Sequence, residues 1–270
     1  MLNRNVKAAS RGGFTLETSA LATQADGSVL VSHGETRVLV TVCRASAEKM
    51  SFFPLSVEYE ERFYAGGKIP GGFFKREGRP SEQAILAARM IDRPIRPLFS
   101  EGYMEQVQIV ATVLSATRDE HPEIAAMLGA STALMLSKAP FLGPIAGVRL
   151  AMVDGQIVVH PSHEQLQESQ MDIVVAGTKH AVTMVEGQMK ELSEETVVEC
   201  ISVAHEAIKE LVALQEELLG QAAQEKLEVE PPEDTSAVEG ALRGLIGDRL
   251  EGMRQPMDKH ARSAWVEALR

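Results

Sequence analysis

The residues whose types could do chemistry together lie in one stretch, residues 62–99, which mixes cations, aromatic rings and glycines. Between Arg62 and Arg96 there are eight Lys or Arg and three acids, whereas the whole chain carries a net charge of −11. A basic segment in an acidic chain indicates a localised site for an anion. The chain has 270 residues, which is long enough to bury a core around such a site.

A glycine-rich loop is predicted in the middle of this stretch. Gly66-Gly67 and Gly71-Gly72 bracket Lys68-Ile69-Pro70, and glycine lets the backbone approach a ligand closely. Aromatic rings and cations follow, a composition that favours single-stranded nucleic acid because rings stack on bases and cations contact phosphates. The predicted binding residues are Phe73, Phe74, Lys75, Arg76 and Arg79. The alternative is a packed surface loop with no ligand.

A short helix with two arginines on one face is predicted next. Ser81 is a suitable N-cap, and Arg89 and Arg93 lie four residues apart, so they share a helix face. Pro94 and Pro97 are expected to end this helix and to hold Arg96 in an extended segment. The alternative role of the arginines is structural, in pairs with acids such as Glu58, Glu60 or Asp92.

The same stretch resembles the signature of the bacterial polynucleotide phosphorylase (polyribonucleotide nucleotidyltransferase) family. That family has a Phe-Phe-basic-Arg loop and an Ile-Asp-Arg-Pro-Ile-Arg-Pro segment, which here are residues 73–76 and 91–97. The similarity extends through residues 52–55 and 128–131 and, more loosely, over nearly the whole chain. It implies that the chain is an N-terminal fragment containing the first RNase PH-like domain of such a protein.

The order of sequence patterns agrees with this fold. Short β-branched runs followed by helical patterns, repeated twice, predict an α+β domain with a mixed sheet and helices packed on one face. A hairpin is predicted across Asp154-Gly155, and helix N-caps at Ser162 and Ser193. With the resemblance, residues 1–222 are expected to form the first RNase PH-like domain, 223–235 an acidic, Pro-rich linker, and 236–270 the truncated beginning of an all-helical domain.

The resemblance implies a 3′-to-5′ phosphorolytic exoribonuclease that degrades mRNA with inorganic phosphate and releases nucleoside diphosphates. In the family, the second RNase PH-like copy is catalytic and carries a Gly-Ser-Ser-Ser turn for phosphate and an Asp-x5-Asp-x-Lys set for Mg²⁺. Here the turn falls at His121-Pro122-Glu123, and the acidic set falls at Leu166, Asp172 and Val174. An apolar side chain cannot hold a metal ion, and one carboxylate makes a poor Mg²⁺ site. We therefore expect a catalytically degenerate copy with no metal ligand, Mg²⁺ being bound outside it.

The same resemblance implies supporting roles for Arg89, Arg93 and Arg96 near the site of the catalytic copy. It also implies single-stranded RNA and inorganic phosphate as ligands, a homotrimer, and RNA-degradation assembly proteins as further partners. A cytoplasmic protein with no membrane segment is expected, because no apolar run reaches about 18 residues and the N-terminus lacks the pattern of a signal peptide. Cys43 and Cys200 are isolated, as thiols of a reducing compartment are.

A second function class stays open, that of a non-catalytic RNA-binding RNase PH-like ring subunit of an exosome-type complex. The helical pattern after Pro231-Pro232 favours the enzyme part, because a simple ring subunit would end near Gly220. Either class predicts that the fragment alone has no phosphorolytic activity.

Overall fold

A computed structural model describes residues 6–46, 52–72, 78–229 and 234–269. Contacts within the chain divide it into two compact units, Met1–Val229 and Glu230–Arg270, which we call the N-terminal and C-terminal units. Each unit is described by itself. The predicted residues Phe73, Phe74, Lys75 and Arg76 lie outside the described residues.

The first sheet of the N-terminal unit is mixed, as predicted. Its strands are β1 (Lys7–Arg11), β2 (Phe14–Thr18), β3 (Gly27–His33), β4 (Thr36–Ala45), β5 (Leu55–Glu61) and β6 (Gln106–Ser115). Their spatial order is β1-β2-β3-β4-β6-β5. Neighbouring strands are antiparallel except β5, which pairs parallel to β6 and forms one edge. In β4, buried and partly exposed residues alternate, so one face of this sheet is turned towards the core.

The second sheet has four antiparallel strands, β7 (Ala146–Val153), β8 (Gln156–Val159), β9 (Met171–Gly177) and β10 (Val182–Met189). Their order is β10-β9-β7-β8. The predicted hairpin joins β7 to β8, and Asp154 and Gly155 have φ angles of 50° and 74°. Positive φ at both turn positions suits a two-residue hairpin. The central strands β7 and β9 bury side chains on both faces.

Four α-helices accompany the sheets. They are α1 (Glu82–Ile95), α2 (Pro122–Leu136), α3 (His163–Glu168) and α4 (Glu194–Ala222). The predicted caps are confirmed, because the hydroxyl groups of Ser81, Ser162 and Ser193 each accept a hydrogen bond from a backbone N–H three residues later. Ser162 forms a full capping box with Gln165. The α+β class is therefore confirmed.

Helix α2 is the centre of the core. All its residues are buried except Glu123 and Met135, and it contacts β3, β4 and β7 of the two sheets. Gly129 permits this close approach, because a Cβ atom built there would lie 2.5 Å from Val40 Cγ2 and 2.8 Å from Val31 Cγ2. Helix α2 is thereby packed closely on the first sheet, and it also contacts β7 of the second.

The end of α1 differs from the sequence prediction. Pro94 lies inside the helix, and Arg96 has helical angles, φ −52° and ψ −46°, at the start of a 3₁₀-helix, Arg96–Leu98. The predicted extended segment is therefore wrong. Proline removes one helical N–H, but Ile91 and Ile95 are fully buried and keep the last turn packed on the core.

The C-terminal unit contains α5 (Ser236–Leu250), a 3₁₀-helix (Glu251–Arg254) and α6 (Lys259–Leu269). Gly252 faces the Trp265 ring, 3.1 Å from where its Cβ atom would be. Arg249 Nη2 donates to Ala268 O at 2.9 Å. Among the described residues, no helix combines the length and the apolar character needed to cross a bilayer.

Candidate functional site

A groove of about 360 Å³ lies between the edge strand β5 and helix α1. Its apolar lining comes from alternate residues of the strand and from the first turns of the helix. Its charged lining consists of Glu58, Glu60, Arg89, Asp92 and Arg96. Two of the three arginines predicted to support catalysis thus meet in one groove.

Arg96 is engaged by the chain itself. Its Nε and Nη2 donate to the two carboxylate oxygens of Asp92 at 3.0 and 2.6 Å. Nη1 donates to Phe53 O at 3.2 Å, and Nη2 also donates to Leu55 O at 3.1 Å. Four of the five donors of a guanidinium group are therefore used. Arg96 ties the end of α1 to the start of β5.

Arg93 points to another part of the unit. It forms an ion pair with Glu186 of β10, and both side chains are about half exposed, at 53% and 51%. The pair connects α1 to the second sheet. The structural alternative named acids such as Glu58, Glu60 or Asp92 as partners, and among the described residues the ion pair of Arg93 is with Glu186 instead.

Arg89 is exposed and makes no hydrogen bond or ion pair within the described residues. The acids around it have other partners. Gln108 donates to Glu58 at 2.8 Å, and Arg62 donates to Glu60 at 3.0 Å. Asp92 is held by Arg96, as described above. The Arg89 guanidinium group therefore lines the groove without a hydrogen-bond or ion-pair partner among the described residues.

Arg79 is exposed just before α1. It is the one residue of the predicted RNA-binding set that lies within the described part of the chain, so the role of the aromatic loop stays a prediction. The glycines on both sides of the loop are exposed as well.

A second group of polar residues lies where α2 begins, at the position of the matched phosphate turn. Arg149 of β7 donates from Nε and Nη2 to the two oxygens of Asp172, each at 2.7 Å. Arg149 Nη1 donates to Glu123 Oε1 at 2.7 Å and to His121 Nδ1 at 3.2 Å. His121 Nε2 then donates to Pro161 O at 2.8 Å. Asp172 is thus fully engaged by an arginine of the neighbouring strand.

Glu123 and Arg149 both keep their charges, because each shifts the pKa of the other towards the ionised form. Burial alone would raise the pKa of Glu123, but its interactions with His121 and Arg149 hold that pKa below its ordinary value. Burial alone would lower the pKa of Arg149, but Asp172 and Glu123 raise it. Both groups therefore stay ionised and neutralise one another.

These residues do not fit a metal ion. Both oxygens of Asp172 are bonded to Arg149, and Leu166 and Val174 carry no ligand atom. Across the ranges that the structure describes, no three His, Cys, Asp or Glu side chains are grouped so that they could hold a metal. The arrangement joins β7 to β9 and to the start of α2 through Arg149.

The sequence interpretation missed Arg149 and the histidines around it. His33 stacks on Phe14 with ring centroids 4.0 Å apart, and His160 meets the same ring edge-on at 5.2 Å. Burial lowers the pKa of His160 to about 4. No spacing signal could have found this cluster, because its members come from β2, β3 and the segment after β8.

Comparison with known proteins adds two matched family models. The model described as "3′ exoribonuclease family, domain 1" matches residues 13–140. The model described as "3′ exoribonuclease family, domain 2" matches residues 143–207. The first match contains the groove, and the boundary between the two lies just before β7.

Two curated relatives are named polyribonucleotide nucleotidyltransferase. The chain is 51% identical over 259 residues to that of Thermomicrobium roseum, covering 95% of this chain and 33% of the relative. It is 50% identical over 253 residues to that of Geobacillus kaustophilus, covering 93% and 35%. The chain thus spans about a third of the length of these relatives.

Two solved structures share the fold. One is titled Archaeoglobus fulgidus exosome with RNA bound to the active site, with a TM-score of 0.58, 24% identity, and coverage of 77% of this chain and 87% of that one. The other is titled archaeal exosome core, with a TM-score of 0.56, 21% identity, and coverage of 80% and 86%. At this identity the likeness concerns the fold alone.

Proposed function

This chain belongs to the 3′ exoribonuclease family, and we propose that residues 1–222 form the first RNase PH-like domain of a 3′-to-5′ phosphorolytic exoribonuclease. The whole protein would be a polyribonucleotide nucleotidyltransferase, as its relatives are named. Residues 223–235 would be the linker, and 236–270 would begin an all-helical domain. In this proposal the chain binds single-stranded RNA and supports assembly but does not catalyse the reaction.

The observation that carries the proposal is the closed ion-pair group at the start of α2. In phosphorolysis, an oxygen of inorganic phosphate attacks the 3′-terminal phosphodiester, and the 3′ oxygen of the preceding nucleotide leaves and takes up a proton. A nucleoside diphosphate is released. Such a reaction requires cations and donors aimed at the phosphoryl oxygens. Here Arg149 is committed to Asp172 and Glu123, which supports a non-catalytic role.

Substrate binding is assigned to the other group of cations. Arg89 at the groove has no internal partner within the described residues, and Arg79 is exposed nearby in the sequence. With Phe73, Phe74, Lys75 and Arg76, they would contact the phosphates and bases of a single strand. Arg93 and Arg96 are proposed to act indirectly, by holding α1 in place.

The metal ion, the oligomeric state and the cellular compartment are further parts of this proposal. Mg²⁺ would be held by residues outside this chain and would neutralise charge on the reacting phosphates. We further propose a homotrimer in the cytoplasm that contacts other RNA-degradation proteins. The two exosome structures with this fold support a multimeric assembly. The trimer can be tested by measuring the mass of a full-length protein that carries this chain, by sedimentation. A monomeric mass would contradict the trimer.

The function is tested with two proteins, the 270-residue chain and a protein of the relatives' full length that carries it. We expect the longer protein to release nucleoside diphosphates from poly(A) in the presence of phosphate and Mg²⁺. We expect the chain to bind a single-stranded oligoribonucleotide without degrading it. Failure of the longer protein to use phosphate would overturn the proposed activity.

The second candidate is the non-catalytic ring subunit of an exosome-type complex, which the two shared folds fit but do not support better than the first candidate. The two candidates differ in the size of the protein in the source cells. An antibody against the N-terminal unit should detect a polypeptide of the relatives' length if the chain is an enzyme part. A single species near 29.3 kDa would favour the ring subunit instead.

A further inference from the structure

We propose that Tyr64 is a base-stacking residue for single-stranded RNA, with Lys68 as the phosphate contact beside it. The inference rests on the proposed function and extends the RNA-binding surface beyond the loop predicted from sequence. It places the first base contact on a rigid turn between β5 and that loop.

Tyr64 differs from the other two tyrosines. Tyr59 and Tyr103 are buried, and their hydroxyl groups donate to Glu61 at 3.2 Å and Glu105 at 3.1 Å. The Tyr64 side chain is 54% exposed, and within the described residues its hydroxyl group has no hydrogen-bond partner. Packing and hydrogen bonding within the described residues therefore leave this ring open to a ligand.

The backbone that carries Tyr64 is held firmly. It belongs to a 3₁₀-helix, Phe63–Gly66, which ends at Gly67 in the left-handed conformation with φ 68°. Gly67 N donates to Tyr64 O at 3.0 Å, and Lys68 N donates to Phe63 O at 2.9 Å. Ala65 is buried, and its carbonyl accepts from Ala116 N at 3.0 Å. A ring on an already ordered turn loses little conformational entropy when a base stacks on it.

The charges beside the ring favour a nucleic acid over an apolar protein partner. Lys68 is exposed and has no carboxylate partner within the described residues. The nearest acids in sequence are engaged, because Glu60 accepts from Arg62 and Glu61 accepts from Tyr59. An exposed ring followed four residues later by a cation with no carboxylate partner among the described residues matches the pattern of single-strand binding, in which bases stack and phosphates follow the cations.

Stacking and phosphate contacts can be separated by the choice of probe. The probes are a short single-stranded oligoadenylate and the same strand with abasic sites, bound to the 270-residue chain. We expect Tyr64→Ala to weaken oligoadenylate binding about ten-fold, within the range of base–aromatic stacking, and to leave binding of the abasic strand unchanged. Lys68→Ala should lower the salt slope by about 0.7 for both strands, the value for one phosphate.

Two further variants serve as controls. Phe52→Ala removes another exposed ring, 63% exposed, before β5, and should leave both affinities unchanged. Tyr64→Trp combined with Trp265→Phe leaves a single tryptophan on the turn, because Trp265 is the one tryptophan of the chain. Its fluorescence should be quenched by oligoadenylate and not by the abasic strand.

The outcomes separate the inference from the proposed function. If the wild-type chain binds neither strand, the RNA-binding function of the chain fails, and the stacking role with it. If the wild-type chain binds and Tyr64→Ala binds oligoadenylate equally well, only the stacking role fails. Loss of affinity on both strands would also overturn stacking, and a changed oligomeric state with normal RNA affinity would assign the ring to a protein interface instead.

Discussion

Arg149 and Asp172 lie on the paired strands β7 and β9 and are joined by two hydrogen bonds of 2.7 Å each. This fork-to-fork geometry is the strongest that arginine makes with a carboxylate. Asp172 is also the one carboxylate of the matched acidic set that this chain keeps. Both of its carboxylate oxygens therefore accept hydrogen bonds that join β9 to β7, and neither is left to bind a metal ion.

Activity of the 270-residue chain is the first prediction. We expect no release of nucleoside diphosphates from poly(A) with phosphate and Mg²⁺, because the matched turn has no serine and Arg149 is held by two carboxylates. The measurement is chromatography of nucleotides from a reaction with and without phosphate. Robust phosphate-dependent release by the chain alone would show that the copy is catalytic.

The Arg149–Asp172 pair should matter for stability. Asp172→Asn removes one negative charge from beside the partly buried guanidinium group of Arg149. We expect the free energy of unfolding to fall by roughly 2–3 kcal/mol, allowing for the partial exposure of the pair. We expect a lower melting temperature by calorimetry and, in a protein of full length, unchanged turnover per folded molecule. Lys179→Ala, which breaks an exposed pair with Glu216, is the control and should change stability little. A turnover loss at constant stability would give Asp172 a catalytic role.

The arginines near the groove should separate by role. Arg96→Ala removes two hydrogen bonds to Asp92 of α1 and two to the backbone carbonyls of Phe53 and Leu55 at the start of β5, so we expect a loss of about 1–2 kcal/mol in stability. Arg89→Ala should leave the melting temperature unchanged and weaken RNA binding, with a salt slope lower by about 0.7. Arg93→Ala, which breaks an exposed pair, should cost about 0.5 kcal/mol or less.

Both readouts should be taken on each protein, by thermal unfolding and by fluorescence anisotropy with a labelled oligoribonucleotide. Normal RNA affinity and a normal salt slope in Arg89→Ala would refute its phosphate contact. If Arg96→Ala kept its stability but lost affinity, Arg96 would be the RNA contact instead.

Acid should destabilise the N-terminal unit through His160. Burial lowers its pKa to about 4 from 6.5, so the unfolded state binds more protons, and stability falls as the pH drops below about 6.5. At about pH 5 the loss from this residue is about 2 kcal/mol. His160→Asn suits the positive φ of 54° and should reduce the difference in unfolding free energy between about pH 7.5 and pH 5.

The matched control is His180→Gln, because His180 is exposed and its replacement should leave the pH dependence as it is. Urea unfolding at the two pH values gives the comparison. An unchanged pH dependence in His160→Asn would mean that the imidazole is not buried in its neutral form.

Two glycine substitutions test the packing of the central helix. Gly129→Ala would place a Cβ atom 2.5 Å from Val40 Cγ2, and overpacking of this kind costs about 1–3 kcal/mol. Gly220→Ala lies in α4 with nothing within 4 Å of the new Cβ atom, so it should stabilise by up to about 1 kcal/mol. Chemical denaturation of both variants is the measurement. Equal stability of the two would contradict the close packing of α2 on the first sheet.

The sequence by itself determined the features that depend on a few neighbouring residues. The caps at Ser81, Ser162 and Ser193 and the turn at Asp154-Gly155 were predictable, because their hydrogen bonds and φ angles are set within about four residues. The family resemblance and the α+β class followed from motifs and from the order of patterns along the chain. These parts of the prediction are confirmed.

Only the tertiary structure decided what each arginine does. Arg96 was predicted to be extended and near a ligand, but it binds Asp92 of its own helix and, more than 40 residues earlier in the chain, the backbone carbonyls of Phe53 and Leu55. Arg93 meets Glu186, 93 residues away, and the helix passes through Pro94 because the isoleucines around it are buried. An ion pair forms with whichever acid the fold brings within reach, and sequence spacing carries no information about that distance.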